Sequence, residues 1–169
     1  SLTQPVLGIC IGVQLLCQSS EEGDTACIGI FDNRVRKFDT LFAEAGILLP
    51  DATGTAAPLS DAGSCSARQA DVPADATILR PAGRLKIPHM GWNSVENLRS
   101  ELFTGIDQGA YVYYVHSFAP EVNADTIATT TYGVPFSAAI RKDNFYGTQF
   151  HPEKSASIGA QILQNFLTL

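Results

Sequence analysis

Cys10 stands two residues after Gly8 and two before Gly12 in the stretch PVLGICIGVQLLCQ, residues 5–18. This is the spacing of a G-x-nucleophile-x-G elbow, in which a strand feeds a helix through one sharp corner. The two glycines are expected to remove side chains that would strike the turn. The sulfur would then project from the top of a sheet, with a helix amino terminus behind it favouring the thiolate. The backbone N–H of Ile11 would point to where an oxyanion forms. A thiol nucleophile also needs a base, and the base needs a group that orients it. His151 lies in TQFHPEKS directly after an apolar run, Pro152 ends that run, and Glu153 follows two residues on, close enough to fix the imidazole tautomer. His89 in KIPHMGWN and His116 in YYVHSF also follow apolar or aromatic segments, and spacing alone does not rank the three.

These residues need elements to hold them. Residues 6–9 read as a short buried strand. From Ile11 onward Gln14, Leu15 and Gln18 fall on one helical stripe, with Leu16 and Cys17 beside it, and SSEEGD closes the element. Residues 28–38, IGIFDNRVRKF, read as strand–turn–strand around Asp32 and Asn33. Residues 43–83 are rich in Ala, Gly, Pro, Ser and Asp without a period, and are expected to form a long surface insertion. β-prone runs resume with GAYVYYVHSFAP at 109–120. DTIATTTYG and PFSAAIRKDNFYGTQF follow, with turns at Tyr132–Gly133 and at 142–144. The final segment sets Ile158, Ile162, Leu163, Phe166 and Leu167 on one helical face, with Ser155 or Ser157 as cap. The ends are α/β and the middle is β-rich, in one domain over 1–169.

Composition narrows the function. The 169 residues carry a formal charge of -6 and no Lys/Arg-rich run, which argues against a nucleic-acid or anionic-membrane partner. No apolar run reaches the roughly 18 residues of a membrane span. The four cysteines (10, 17, 27 and 65) show neither CxxC spacing nor the density of a disulfide scaffold, so a reducing, cytoplasmic setting is expected. Cys65, inside the expected insertion, is read as incidental.

GICIGVQ together with FHPEKS resembles the class I, or triad-type, glutamine amidotransferases. KIPHMGWN and YYVHSF are similar to the glutaminase subunits of imidazole glycerol phosphate synthase, in histidine biosynthesis. The resemblance covers residues 5–42 and 84–169. It implies a flavodoxin-like, doubly wound α/β sheet with a β-rich carboxyl half. It makes Cys10 the nucleophile, His151 the acid/base, Glu153 its orienter and the Ile11 N–H an oxyanion donor. It puts Gln14, Glu22 and the backbone of His116, Ser117 and Phe118 around a glutamine substrate. Trp92, Tyr113 and Lys154 fall on the face toward a (β/α)8-barrel cyclase partner. Neither a metal nor an organic cofactor is implied. Family members reach their elbow after a longer amino-terminal segment carrying the first strands and a glycine loop of the oxyanion hole. An incomplete sheet, an unpaired apolar edge at residues 6–9 and poor activity of this chain alone are therefore expected. Two alternatives accompany this reading: an impaired fragment that only binds its partner, and another class I glutaminase or γ-glutamyl hydrolase.

Overall fold

The structure, a computed structural model, describes residues 2–47 and 85–169. Most of the expected insertion, and Cys65 with it, lies outside the described residues. Residues 43 and 44 belong to a helix.

In chain order the described elements are β1 (Val6–Ile9), α1 (Ile11–Leu16), β2 (Ser19–Ser20), β3 (Thr25–Ala26), β4 (Arg34–Lys37), α2 (Phe38–Glu44), β5 (His89–Val95), β6 (Ala110–His116), β7 (Phe118–Pro120), β8 (Thr126–Tyr132), β9 (Val134–Lys142), β10 (Phe145–Thr148) and α3 (Ala156–Phe166). The central sheet runs β1-β10-β9-β8. Its β9–β10 hairpin turns at Asp143 and its β8–β9 hairpin at Gly133, both with positive φ, where a turn demands it. β1 joins the sheet parallel to β10, pairing Val6 with Phe145 and Ile9 with Thr148. Its other edge has no strand partner among the described residues. β5 and β6 form an antiparallel pair, stitched to β8 by the Glu96–Thr129 bridge. A smaller sheet, β3-β2-β4-β7, stands alongside.

Two neighbours in β10 show how the central sheet is covered. The Tyr146 ring packs 6.0 Å from Phe166 of α3. Gly147, one residue on and so on the opposite face, backs onto α1, where an added Cβ would come 2.8 Å from the Val13 Cβ. The sheet therefore carries a helix on each face, as expected of a doubly wound α/β arrangement. A larger core around Phe38, Phe42, Tyr114, Phe136, Phe150 and Ile162 fills one side. Val13, Cys17, Phe31, Val35 and Ile140 form a second. Each such side chain, fully buried, contributes about 1.5–3 kcal/mol.

Four expectations change. α1 stops at Leu16, short of Gln18, and the SSEEGD stretch that closes it holds β2 and a turn. Its buried side carries Val13 and Gln14, with Cys17 buried just past its end, whereas Ile11 and Leu15 are half exposed. A six-residue helix offers several stripes, and the bare backbone of Gly147 selects Val13. Residues 28–33 are not a strand; only β4 forms there, because Asn33 spends its amide on the Glu121 carbonyl and Phe31 plugs the smaller core. In α3, Leu167 is exposed and Asn165 is buried, donating to the carbonyls of Leu102 and Thr104. Ser155 does not cap the helix with its side chain; its hydroxyl donates to the His151 carbonyl.

Candidate active site at the ends of two parallel strands

Because β1 and β10 are parallel and in register, their carboxyl ends emerge together, with Cys10 one residue beyond β1 and His151 three residues beyond β10. The Cys10 N–H still donates to the Thr148 carbonyl, 2.8 Å away. Cys10 itself has φ 52° and ψ -108°, a conformation that costs an L residue about 1–3 kcal/mol. The strain is maintained by Gly8. An added Cβ there would lie 2.7 Å from the Gly12 carbonyl carbon and 2.8 Å from the Val13 nitrogen. Gly12 differs from expectation, since a Cβ on it would meet nothing within 4 Å. Of the two elbow glycines, only the first is sterically required by the described residues.

The Cys10 thiol is half-buried, and burial pushes its pKa up. The Ile11 N–H opposes that, Glu153 adds to it, and Lys154 and the Gln149 amide oppose it again. The expected thiolate-favouring balance is reversed, because a single turn of helix start does not outweigh desolvation. A resting thiol that needs a base is the outcome. Cys17, pushed up to about 12 by burial, donates to the Val13 carbonyl and is inert.

His151 lies three residues past the end of β10, its N–H donating to the Tyr113 carbonyl at 2.9 Å. Its Nδ1 is 2.7 Å from Glu153 Oε1. A carboxylate only accepts, so Nδ1 carries a proton, and in the neutral imidazole Nε2 has the lone pair. That Nε2 is buried and has no hydrogen-bond partner among the described residues. The sulfur's side-chain partner is instead the Gln149 Nε2, at 3.7 Å. Gln149 escaped the sequence reading, since nothing in TQFHPEKS marks it as more than a strand residue. Gln14 is buried behind it, donating through Nε2 to the Phe118 carbonyl at 3.0 Å and to Gln149 Oε1 at 2.9 Å.

Comparison with known proteins settles what kind of chain this is. The sequence profile of the class-I glutamine amidotransferases matches residues 1–169. The chain belongs to the class-I glutamine amidotransferase family. It is 42% identical over 168 residues to the imidazole glycerol phosphate synthase subunit HisH of Bacteroides fragilis, covering 99% of this chain and 65% of that protein. The HisH of Escherichia coli is 42% identical over 169 residues, with 99% and 65% covered. The chain thus spans 65% of the length of these curated relatives. Among solved structures, a Thermoplasma acidophilum protein described as a GMP synthase subunit superposes with a TM-score of 0.53 at 18% identity. The match covers 99% of this chain and 57% of that one, and it supports the amidotransferase fold.

The remaining predicted residues fall in three places. His116 ends β6, Ser117 breaks the strand and Phe118 opens β7, whose carbonyl is the anchor for Gln14. Trp92 and Tyr113 meet edge-to-face at 6.1 Å, and Lys154 Nζ lies 5.9 Å from the Tyr113 ring centroid. Those three residues, far apart in sequence, form one contiguous stack next to His151. Glu22 is exposed on the turn between β2 and β3, while its neighbour Glu21 joins Glu44 and Glu121 around the Arg36 guanidinium. Among the described residues no His/Cys/Asp/Glu group could hold a metal.

Proposed function

We propose that this chain hydrolyses glutamine as the amidotransferase subunit of an imidazole glycerol phosphate synthase. The observation that carries the reading is the presence of two incomplete groups beyond the paired ends of β1 and β10. One is a strained, half-buried thiol; the other is an imidazole whose Nδ1 is held by Glu153 and whose buried Nε2 is free to accept a proton. Catalytic hydrogen bonds are commonly long in ligand-free sites and tighten when substrate binds.

In the proposed reaction Cys10 loses its proton to His151 Nε2 as its sulfur attacks the carboxamide carbon of glutamine. The oxyanion faces the Ile11 N–H. His151 returns the proton to the departing nitrogen, the C–N bond breaks, and ammonia leaves a glutamyl thioester. Water, deprotonated by His151, then cleaves the C–S bond and releases glutamate. Gln14 has committed both amide hydrogens inward, which leaves its Oε1 for the substrate. Glu22 and the backbone of His116, Ser117 and Phe118 complete substrate binding. Tyr113 and the exposed Lys154, backed by the buried Trp92, form the docking face for a (β/α)8-barrel cyclase, which receives ammonia before bulk water protonates it. The free thiols Cys10, Cys17 and Cys27 suit a cytoplasmic setting.

A thiol-reactive glutamine analogue tests the reading. Labelling confined to Cys10, blocked by glutamine, is expected. Labelling that ignores glutamine, with no glutamate formed in the presence of the cyclase, would leave only a partner-binding module.

A further inference from the structure

Two histidines that the reaction does not use are buried beneath it. His89 is fully buried and His116 nearly so. Their hydrogen bonds define every proton position in a continuous chain. Asn93 accepts from the Ser94 N–H at Oδ1, so its Nδ2 is the donor to the Thr131 carbonyl and to His89 Nε2. His89 Nδ1 must then hold the proton that bridges to His116 Nε2, 2.8 Å away. His116 Nδ1 in turn donates to the Phe118 carbonyl at 2.8 Å. That same carbonyl accepts from Gln14 Nε2, Gln14 also donates to Gln149 Oε1, and Gln149 Nε2 reaches the Cys10 sulfur. No member can turn over without leaving a neighbour with two donors or two acceptors face to face.

We propose that Gln149 is a catalytic residue that donates to the Cys10 thiolate, and that His89 is a positioning residue that holds it there through His116, the Phe118 carbonyl and Gln14. This rests on the glutaminase reading for its purpose, and on the hydrogen-bond geometry for its existence. Burial keeps both imidazoles neutral, as such a chain requires: His116 is lowered to about 4 and His89 to about 2. A charged imidazole at either place would put a proton against a proton. The chain also links β5 and β6 to the elbow, two parts of the protein that share no strand pairing.

The test uses the full chain and measures alkylation of Cys10 by iodoacetamide across a pH series, resolved from the other cysteines by peptide mass spectrometry. Glutamine turnover is assayed separately, so loss of the proposed activity and loss of this inference are told apart. Gln149→Met keeps the volume and removes the donor. Reactivity at a fixed pH below the thiol pKa is expected to fall about tenfold, the equivalent of one pKa unit. His89→Phe preserves the stacks on Tyr132 and Tyr114, 4.1 and 4.7 Å between centroids, but not the donor. It is expected to slow alkylation about threefold. His89→Asn forfeits those stacks and keeps a donor near the Nδ1 position, so it should recover to within about twofold of the parent. A packing role predicts the reverse order, with asparagine the worse variant. Nitrogen NMR of the unaltered protein needs no variant to fold, and should find His89 and His116 both protonated on Nδ1. A proton on His116 Nε2, parental reactivity in His89→Phe, or an asparagine variant as slow as the phenylalanine one would overturn the proposal.

Discussion

Replacing Gly8 with alanine would put a methyl carbon 2.7 Å from the carbonyl carbon of Gly12 and 2.8 Å from both its oxygen and the Val13 nitrogen. All three atoms are backbone at the start of α1, so relief requires moving the helix and not a side chain. Overpacking of this kind costs about 1–3 kcal/mol. Gly12→Ala is the internal control. Its Cβ enters open space among the described residues, and a glycine inside a helix forfeits about 0.5–1 kcal/mol relative to alanine. The two substitutions, symmetric in the motif, should therefore act in opposite directions and differ by about 1.5–4 kcal/mol. In a chain of this size each kcal/mol moves the melting temperature by roughly 2–4 °C. Urea unfolding of both variants, with Cys10 alkylation alongside, reads the difference. Gly8→Ala should also alter thiol reactivity, since it displaces the turn that sets the sulfur. Equal destabilisation by the two variants would refute the steric account of the elbow.

Three further outcomes follow from the same geometry. Glu153→Ala should lower glutamine turnover by about 10²–10⁴ by freeing the His151 tautomer. The same change should make Cys10 alkylation faster at neutral pH, because the Glu153 charge helps raise the thiol; slower alkylation would contradict this. The lowered imidazoles of His89 and His116 make stability fall as pH drops below about 6.5, where the unfolded chain binds protons that the folded one refuses. Each contributes about 1.4 kcal/mol per pH unit until its folded value is passed, so the acid limb of a urea-midpoint series should be shallower in His89→Phe than in the parent. Arg36→Met removes the guanidinium shared by Glu21, Glu44 and Glu121. With the carboxylates partly solvated, about 1–2 kcal/mol should be lost, and added salt should recover part of it by screening their repulsion; a salt-independent loss would show that packing governs the site.

Much of the fold was legible because its strands are locally declared. The β-branched run Thr126–Tyr132 and the hairpin through Lys142–Phe145 state their period and their turn together. The helices were less legible. In α1 the sequence offers the stripe of Ile11 and Leu15 as readily as that of Val13 and Cys17, and only contact with β10 decides between them. In α3 a buried Asn165, outside the expected apolar face, donates to the carbonyls of Leu102 and Thr104. Strand β5 is not marked in the sequence, since HMGWNSV has no clean alternation. It forms because β6 supplies a complete ladder.

The sequence by itself determined the elbow, the histidine with its glutamate two residues on, and the family, since these are short-range patterns whose chemistry demands particular residue types at set spacings. Tertiary structure alone decided that Cys10 and His151 leave neighbouring parallel strands, that the thiol is raised and not lowered, and that Gln149 reaches the sulfur. It also decided that two histidines 27 residues apart share one hydrogen bond. Desolvation and hydrogen-bond partnership depend on which surfaces the folded chain brings together, and residues at opposite ends of the chain carry no local trace of that meeting.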